Sequence, residues 1–380
     1  MKRKNLLQRF GVFILTVVLV LVAITVTMNR DVLNFDSFRR WLIYGDLELS
    51  LYGESDSFTH AGGDLSSFAL TEQGVVMVST AGSRYYSFRG DIFHEKVVSY
   101  DNPVLHKGTN ATVVYDAGGR SLSLYQQEKE VFALGLGQED SIISARLNEN
   151  DWLVVVTQEK GYKGMVTVYN KLQEPVMQIS LSTTFVSDAA LAPDNKTVLL
   201  VTVGQTGGIF QSTLQFYDLD ADTAKKTITF SSTVILDLDY ENDVLWLLCE
   251  KELITISTTD YSQKTWSFLS EYLKDATLDG DGFATLLLGQ YRAGTANRLL
   301  TIDSQGNILG EHSVTSTPLA LDSAGEYIAY LAEDRLMLLL KDLSEYAILK
   351  DVRHGNNVTV TPEGTCLLTS QQEAWLFLPS

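Results

Sequence analysis

The chain has 380 residues, 45% of them hydrophobic and 20% charged, with a formal net charge of −18. So acidic a surface is repelled by phosphate backbones, which argues against nucleic acid as a partner. Two cysteines in this length do not make a disulfide-stapled scaffold, and a metal site built on thiolates is excluded with it.

Residues 1–9 form a basic tail with Lys2, Arg3, Lys4 and Arg9, and residues 10–28 carry no charge. At about 1.5 Å per residue, a helix over 10–28 nearly spans the ~30 Å hydrocarbon core. Basic residues before an apolar span stay in the cytoplasm, so the rest is expected outside a single-pass cell-membrane anchor. A cleaved signal peptide is the alternative, but the stretch is long for one and lacks a clean A-x-A site. Residues 31–46, DVLNFDSFRRWLIYGD, read as a short juxtamembrane amphipathic helix. Phe35, Phe38, Trp41 and Leu42 share a stripe, Arg39 and Arg40 suit lipid phosphates, and Trp41 and Tyr44 suit the headgroup level. A connector packed on the following domain explains the same pattern.

From residue 47 onward one turn keeps returning, at roughly 40-residue intervals. Glu72-Gln73-Gly74, Asn148-Glu149-Asn150-Asp151, Pro193-Asp194-Asn195 and Glu241-Asn242-Asp243 are its first clear forms. A weaker one at His106-Lys107-Gly108 fills the only double gap, and Asp279-Gly280-Asp281-Gly282, Asp322-Ser323-Ala324-Gly325 and Pro362-Glu363-Gly364 follow. Each stands before a strong apolar hairpin. In order these are 75–79 with 85–89, 112–116 with 121–125, 152–157 with 165–169, and 198–203 with 214–219. The second half gives 244–249 with 253–257, 283–288 with 298–302, 327–331 with 335–340, and 366–370 with 374–378. Their β-branched, leucine and aromatic content and short length predict strands. VLLVTV and LMLLL are apolar at almost every position, as a sheet packed on both faces requires. The expectation is an all-β, eight-bladed β-propeller over 47–380, with seven blades as the alternative. The orphan segment 47–58 would close the last blade, which otherwise lacks an outer strand.

Chemistry is poorly marked. His60, His94, His106, His312 and His354 are scattered, without H-x-H or H-E-x-x-H spacing, so no catalytic or transition-metal site is indicated. Asp218, Asp220 and Asp222 alternate as in calcium loops, as do Asp279 and Asp281, but neither run has the glycine and distal glutamate of such a loop. Turn formation explains both, and no cofactor is expected beyond this weak calcium signal. Cys249 and Cys366 fall in non-neighbouring blades and read as buried free thiols. Longer hairpin loops at 159–163, 204–208 and 289–294 share one rim, which makes Tyr162, Lys163, Tyr291 and Arg292 the candidate binding residues.

The stretch RRWL-x-Y-G at Arg39–Gly45 and YDAGGRSLSLY at Tyr115–Tyr125 resemble the DUF5711 family, uncharacterised membrane-tethered proteins of Firmicutes. The resemblance implies a propeller behind an anchor over the whole chain and carries no activity with it. Fragments at Asp222–Lys225 and Gln263–Trp266 are similar to the turns of quinoprotein and BamB-like propellers, without their repeated docking tryptophans. Two functions are expected from this. The first is a non-enzymatic extracellular scaffold binding a protein, peptide or cell-wall glycan. The second is a propeller enzyme, a hydrolase or quinone-type dehydrogenase, with its site at the central channel. Carboxylates lining that channel would favour the second.

Overall fold

The computed structural model describes Thr16 and residues 35–379, apart from Asp64 and Leu269. The basic tail 1–9 and the apolar span 10–28 lie outside the described residues, Thr16 apart. Among the described residues no helix is long and apolar enough to cross a membrane. A helix at Phe35–Tyr44 falls within the expected 31–46 stretch and belongs to the unit Met1–Leu47. The strands belong to a second unit, Glu48–Pro379.

That second unit is an eight-bladed β-propeller. The described strands form eight four-stranded antiparallel meanders, so the seven-bladed alternative falls. In seven blades the four strands are consecutive in the chain. The eighth combines Asn357–Val360, Cys366–Thr369 and Glu373–Phe377 with Phe58–Thr59 from the other end of the chain. Phe58 stands opposite Ala374 and Thr59 opposite Glu373. The latch extends beyond this short strand. The Ser55 amide donates to the Leu376 carbonyl at 2.9 Å, the Leu376 amide donates to Ser55 Oγ at 2.9 Å, and the Leu378 amide donates to the Gly53 carbonyl at 2.8 Å.

Two-sided packing explains why the middle strands are apolar throughout. Val154 and Val156 of the third blade pack on Val198 and Leu200 of the fourth. Leu153 and Val155, the alternate residues of the same strand, pack on Val113 and Leu122 of the second. Each side chain buried in this way contributes about 1.5–3 kcal/mol. Fourth strands sit at the outer edge and alternate accordingly, as in Lys129–Gly135 and Lys226–Ser231, where every second residue is exposed.

The recurring acidic turn has a second use that its turn chemistry did not announce. It ties one blade to the next. Asp151 Oδ1 accepts the amides of Asn110 and Ala111 at 2.9 and 3.2 Å, joining the second and third blades. Asn148 Nδ2 reaches the Ala192 carbonyl and Asn195 Oδ1, joining the third and fourth. Glu241 accepts the Gly282 amide, joining the fifth and sixth. The Asp281 amide donates to the carbonyl of Gly325, whose φ of +59° favours glycine.

Two expected strands shift. The predicted strand 85–89 lies instead at Gly82–Tyr86, because Ser79 pairs with Gly82 across the two-residue turn Thr80-Ala81. The expected loop 204–208 is also mostly strand. Its hairpin continues to Thr206 opposite Ile209, and only Gly207-Gly208, both at positive φ, make the turn.

Candidate functional site in the central channel

The first strand of each blade is innermost, and the eight together enclose a cavity of about 580 Å³. In blades three to seven this strand is bulged at one common level, just after Ile142, Val186, Ile235, Leu273 and Pro318. A bulge re-aims the side chain that follows it. The residues so placed are Ser144, Asp188, Asp237, Asp275 and Ala320. Three of the five are aspartates, and each fixes its own carboxylate on the next amide: Asp188 on Ala189, Asp237 on Leu238 and Asp275 on Ala276, at 2.8–2.9 Å. Two residues further along the strands of the third, fifth and seventh blades, the same face carries Arg146, Asp239 and Asp322.

The cavity wall therefore presents five carboxylates, Asp188, Asp237, Asp239, Asp279 and Asp322, against the cations Arg146 and Lys107. The Arg146 guanidinium meets Asp188 at 2.8 Å and Asp237 at 2.6 Å, and donates to the Leu238 carbonyl at 3.0 Å. These partners hold its pKa above the usual arginine value in spite of burial. The pKa values of Asp239, Asp279 and Asp322 rise as well, which for a carboxylate favours the neutral form. Burial in the disc, then the charge of Asp279, raises Asp322 to about 7. Asp322 Oδ2 accepts Thr359 Oγ1 at 2.8 Å and the Val360 amide at 2.7 Å, which oppose that rise. Burial and Asp279 likewise raise Asp239, and burial and Asp237 raise Asp279. The Asp279 side chain opens on water in the lumen, but the surrounding blades keep its wider environment poor in solvent. His106 is driven down to about 4 by burial and by Arg146, so its ring is neutral, with Nδ1 accepting the Leu147 amide at 3.3 Å. Ser144 is 8% exposed, and its hydroxyl has no hydrogen-bond partner among the described residues.

The rim residues expected from sequence stand on one face of the disc. In a four-stranded meander the hairpin between the second and third strands lies at the end where the first strand begins. Tyr162 and Lys163 occupy that hairpin in the third blade, and Tyr291 and Arg292 in the sixth. Tyr162 and Tyr291 are exposed, Lys163 Nζ sits 4.9 Å from the Phe185 ring centre, and the Arg292 carbonyl accepts Lys274 Nζ at 2.9 Å. Sequence reading missed what lies between these loops. Phe185, Val234, Leu236, Tyr272 and Leu319, each within one residue of the start of the first strand in blades four to seven, are all exposed and make an apolar crescent around the channel mouth. The lumen beneath it did leave a signal, in the run Ile235-Leu-Asp-Leu-Asp-Tyr-Glu241, whose carboxylates at alternate positions mark a strand facing water on one side.

Helix Phe35–Tyr44 of the first unit exposes Phe38, Arg39, Trp41 and Leu42, while Arg40 and Tyr44 are buried at 4% and 2% exposure. Arg40 Nη2 donates to Ser37 Oγ at 2.9 Å. The two calcium-like runs lie in different settings. Asp218 pairs with Lys225 at 2.6 Å, Asp279 lines the channel, and among the described residues no group of three or more His, Cys, Asp or Glu side chains is placed to hold a metal ion. Cys249 and Cys366 are buried free thiols.

Solved propellers share this architecture at low identity. The C-terminal WD40 domain of Sif2 superposes with a TM-score of 0.61 at 13% identity, covering 86% of this chain and 99% of that one. The computationally designed protein Ika8 gives 0.60 at 11% identity, covering 84% and 98%. BamB from Moraxella catarrhalis gives 0.52 at 16% identity, covering 86% and 97%. Such likenesses establish the fold alone. No curated protein matches. A family model described as a family of unknown function, DUF5711, matches residues 52–342. The match takes in the Tyr115–Tyr125 stretch and begins after Arg39–Gly45, so the latter lies outside it. By that match the chain belongs to the DUF5711 family.

Proposed function

We propose that this protein is a non-enzymatic binding scaffold, tethered to a bacterial cell membrane by residues 10–28 with its propeller outside, and that it holds a protein, peptide or cell-wall glycan. The observation that carries the reading is the crescent of exposed apolar side chains from Phe185 to Leu319, on the same face as the Tyr162 and Tyr291 loops. Exposed apolar side chains gathered on one face mark interaction sites rather than ordinary surface. Helix Phe35–Tyr44, with Phe38, Arg39, Trp41 and Leu42 exposed, has the composition of an interfacial segment and supports the membrane part of the proposal.

The alternative, an enzyme working at the channel, is favoured by the raised pKa values of Asp239, Asp279 and Asp322. The arrangement of the carboxylates counts against it. Asp188 and Asp237 are occupied by Arg146, and Asp322 is held by Thr359 and Val360. An anionic lumen is in the first place a recognition site for a cation.

The scaffold reading is tested by capture from a cell-surface extract on the full-length chain, beside a variant carrying Leu236→Glu and Tyr272→Glu. Saturable capture of a defined partner by the parent and its loss in the variant support the reading. Equal capture by both chains, or turnover of a wall component by the parent chain alone, overturns it. Protease added to intact cells should reach the propeller.

A further inference from the structure

We infer that the channel mouth takes a lysine or arginine side chain, presented by an apolar polypeptide segment of the partner that lies across Val234, Leu236 and Tyr272. This rests on the scaffold reading and names the chemistry of its partner.

Leu236 is the bulged residue of the fifth blade and is 53% exposed at the mouth, while Asp237, the next residue, turns into the cavity. An apolar landing surface and an anionic hole are therefore neighbours along one strand. The lumen holds five carboxylates against two cations, and Asp239 accepts no hydrogen bond from any described residue. Ser144 adds a buried hydroxyl without a partner at the level of Asp188 and Asp237, a ready acceptor for an N–H donor. A compact metal ion is a poor fit, because it needs about six to eight oxygens converging at one point. Here the carboxylates are spread over successive levels of the wall, which matches a long side chain with an apolar stem and a charged tip. The apolar crescent at the entrance favours a polypeptide over a free polyamine, since a polyamine would leave that surface uncovered.

The test uses the full-length chain in lipid nanodiscs, panned with a phage-displayed library of random peptides and counter-selected on empty nanodiscs. Enriched peptides should carry a lysine or arginine flanked by apolar residues. With one such peptide synthesised, replacing its basic residue by norleucine should weaken binding by roughly tenfold or more, and Asp239→Asn in the protein should do the same. Leu236→Glu serves as a second variant, and thermal melts establish that both are folded. Enrichment of peptides without a basic residue, no enrichment above empty nanodiscs, or affinity indifferent to Asp239→Asn and Leu236→Glu overturns the inference. So does spermidine binding in the lumen without any enriched peptide. If surface extract still yields a partner lost in the Leu236→Glu, Tyr272→Glu variant while these peptide tests fail, the scaffold reading stands and only the cationic occupant falls.

Discussion

Arg146 of the third blade and Asp237 of the fifth meet at 2.6 Å, passing over the blade between them. Asp188, from that intervening blade, closes the group at 2.8 Å. The bridge is a chord across the lumen that ties three blades together. Removing the guanidinium leaves two carboxylates facing one another without a counter-charge. Arg146→Met should cost about 2–4 kcal/mol, discounted for lumen water, and lower the melting temperature by several degrees. Adding Asp188→Asn and Asp237→Asn should restore most of the loss, and calorimetry on the series checks it. A single mutant as stable as the parent would show the chord to be ornamental.

The pH dependence has a definite sign. Asp322 has a folded pKa of about 7 against the ordinary aspartate value of 3.8, so between the two the folded chain keeps a proton that the unfolded chain has lost. Its contribution to stability is complete at acid pH and is lost as pH rises through the folded value. Asp322→Asn should therefore raise the melting temperature at about pH 8 and change little at about pH 4. Asparagine can still accept from Thr359 and Val360, so the hydrogen bonds survive the substitution.

The latch makes a separate prediction. Deleting residues 48–59 removes Phe58, which is buried against Tyr86 with ring centres 5.6 Å apart, and uncovers the strand Glu373–Phe377. An uncovered edge strand pairs with other chains. The deletion should lower the melting temperature and broaden the elution profile toward oligomers on size exclusion. Ser55→Ala should cost about 1 kcal/mol by stranding the Leu376 amide.

Cys249 is a simpler case. Burial, with a smaller contribution from the Glu252 charge, raises its thiol to about 12. A thiol that stays protonated is a poor nucleophile. Cys249 should resist a thiol reagent at about pH 8 until the protein is denatured, and then react at once. Labelling with mass spectrometry before and after denaturant reads this directly.

The middle hairpins were legible in the chain because both their faces are buried, so composition alone marks them. Strand 244–249 lies where its sequence places it, and most others agree to within a residue or two. First strands were harder, because one of their faces lines a polar lumen. Asp279 read as a turn residue and half a calcium loop, Asp239 as part of the recurring turn, and Asp237 drew no reading, although Asp237 and Asp239 sit within strand Ile235–Glu241 and Asp279 within Tyr272–Gly280. Their convergence from separate blades depends on ring closure, and no local spacing encodes it. The same holds for Arg146, whose partners lie 42 and 91 residues away. The crescent was hidden for a different reason. Leu236 and Leu319 are exposed because a bulge displaces each of them from the ladder, and a bulge leaves no mark in the apolar pattern.

Those kinks recur at one height in five successive blades, and they belong to the main chain. The side chain that follows the kink lines the cavity in blades three to five, whether it is serine or aspartate. The wall's contour is thereby separated from its lettering. Exchanging Ser144, outside the Arg146 chord, would alter which guest is admitted without disturbing how the ring is built.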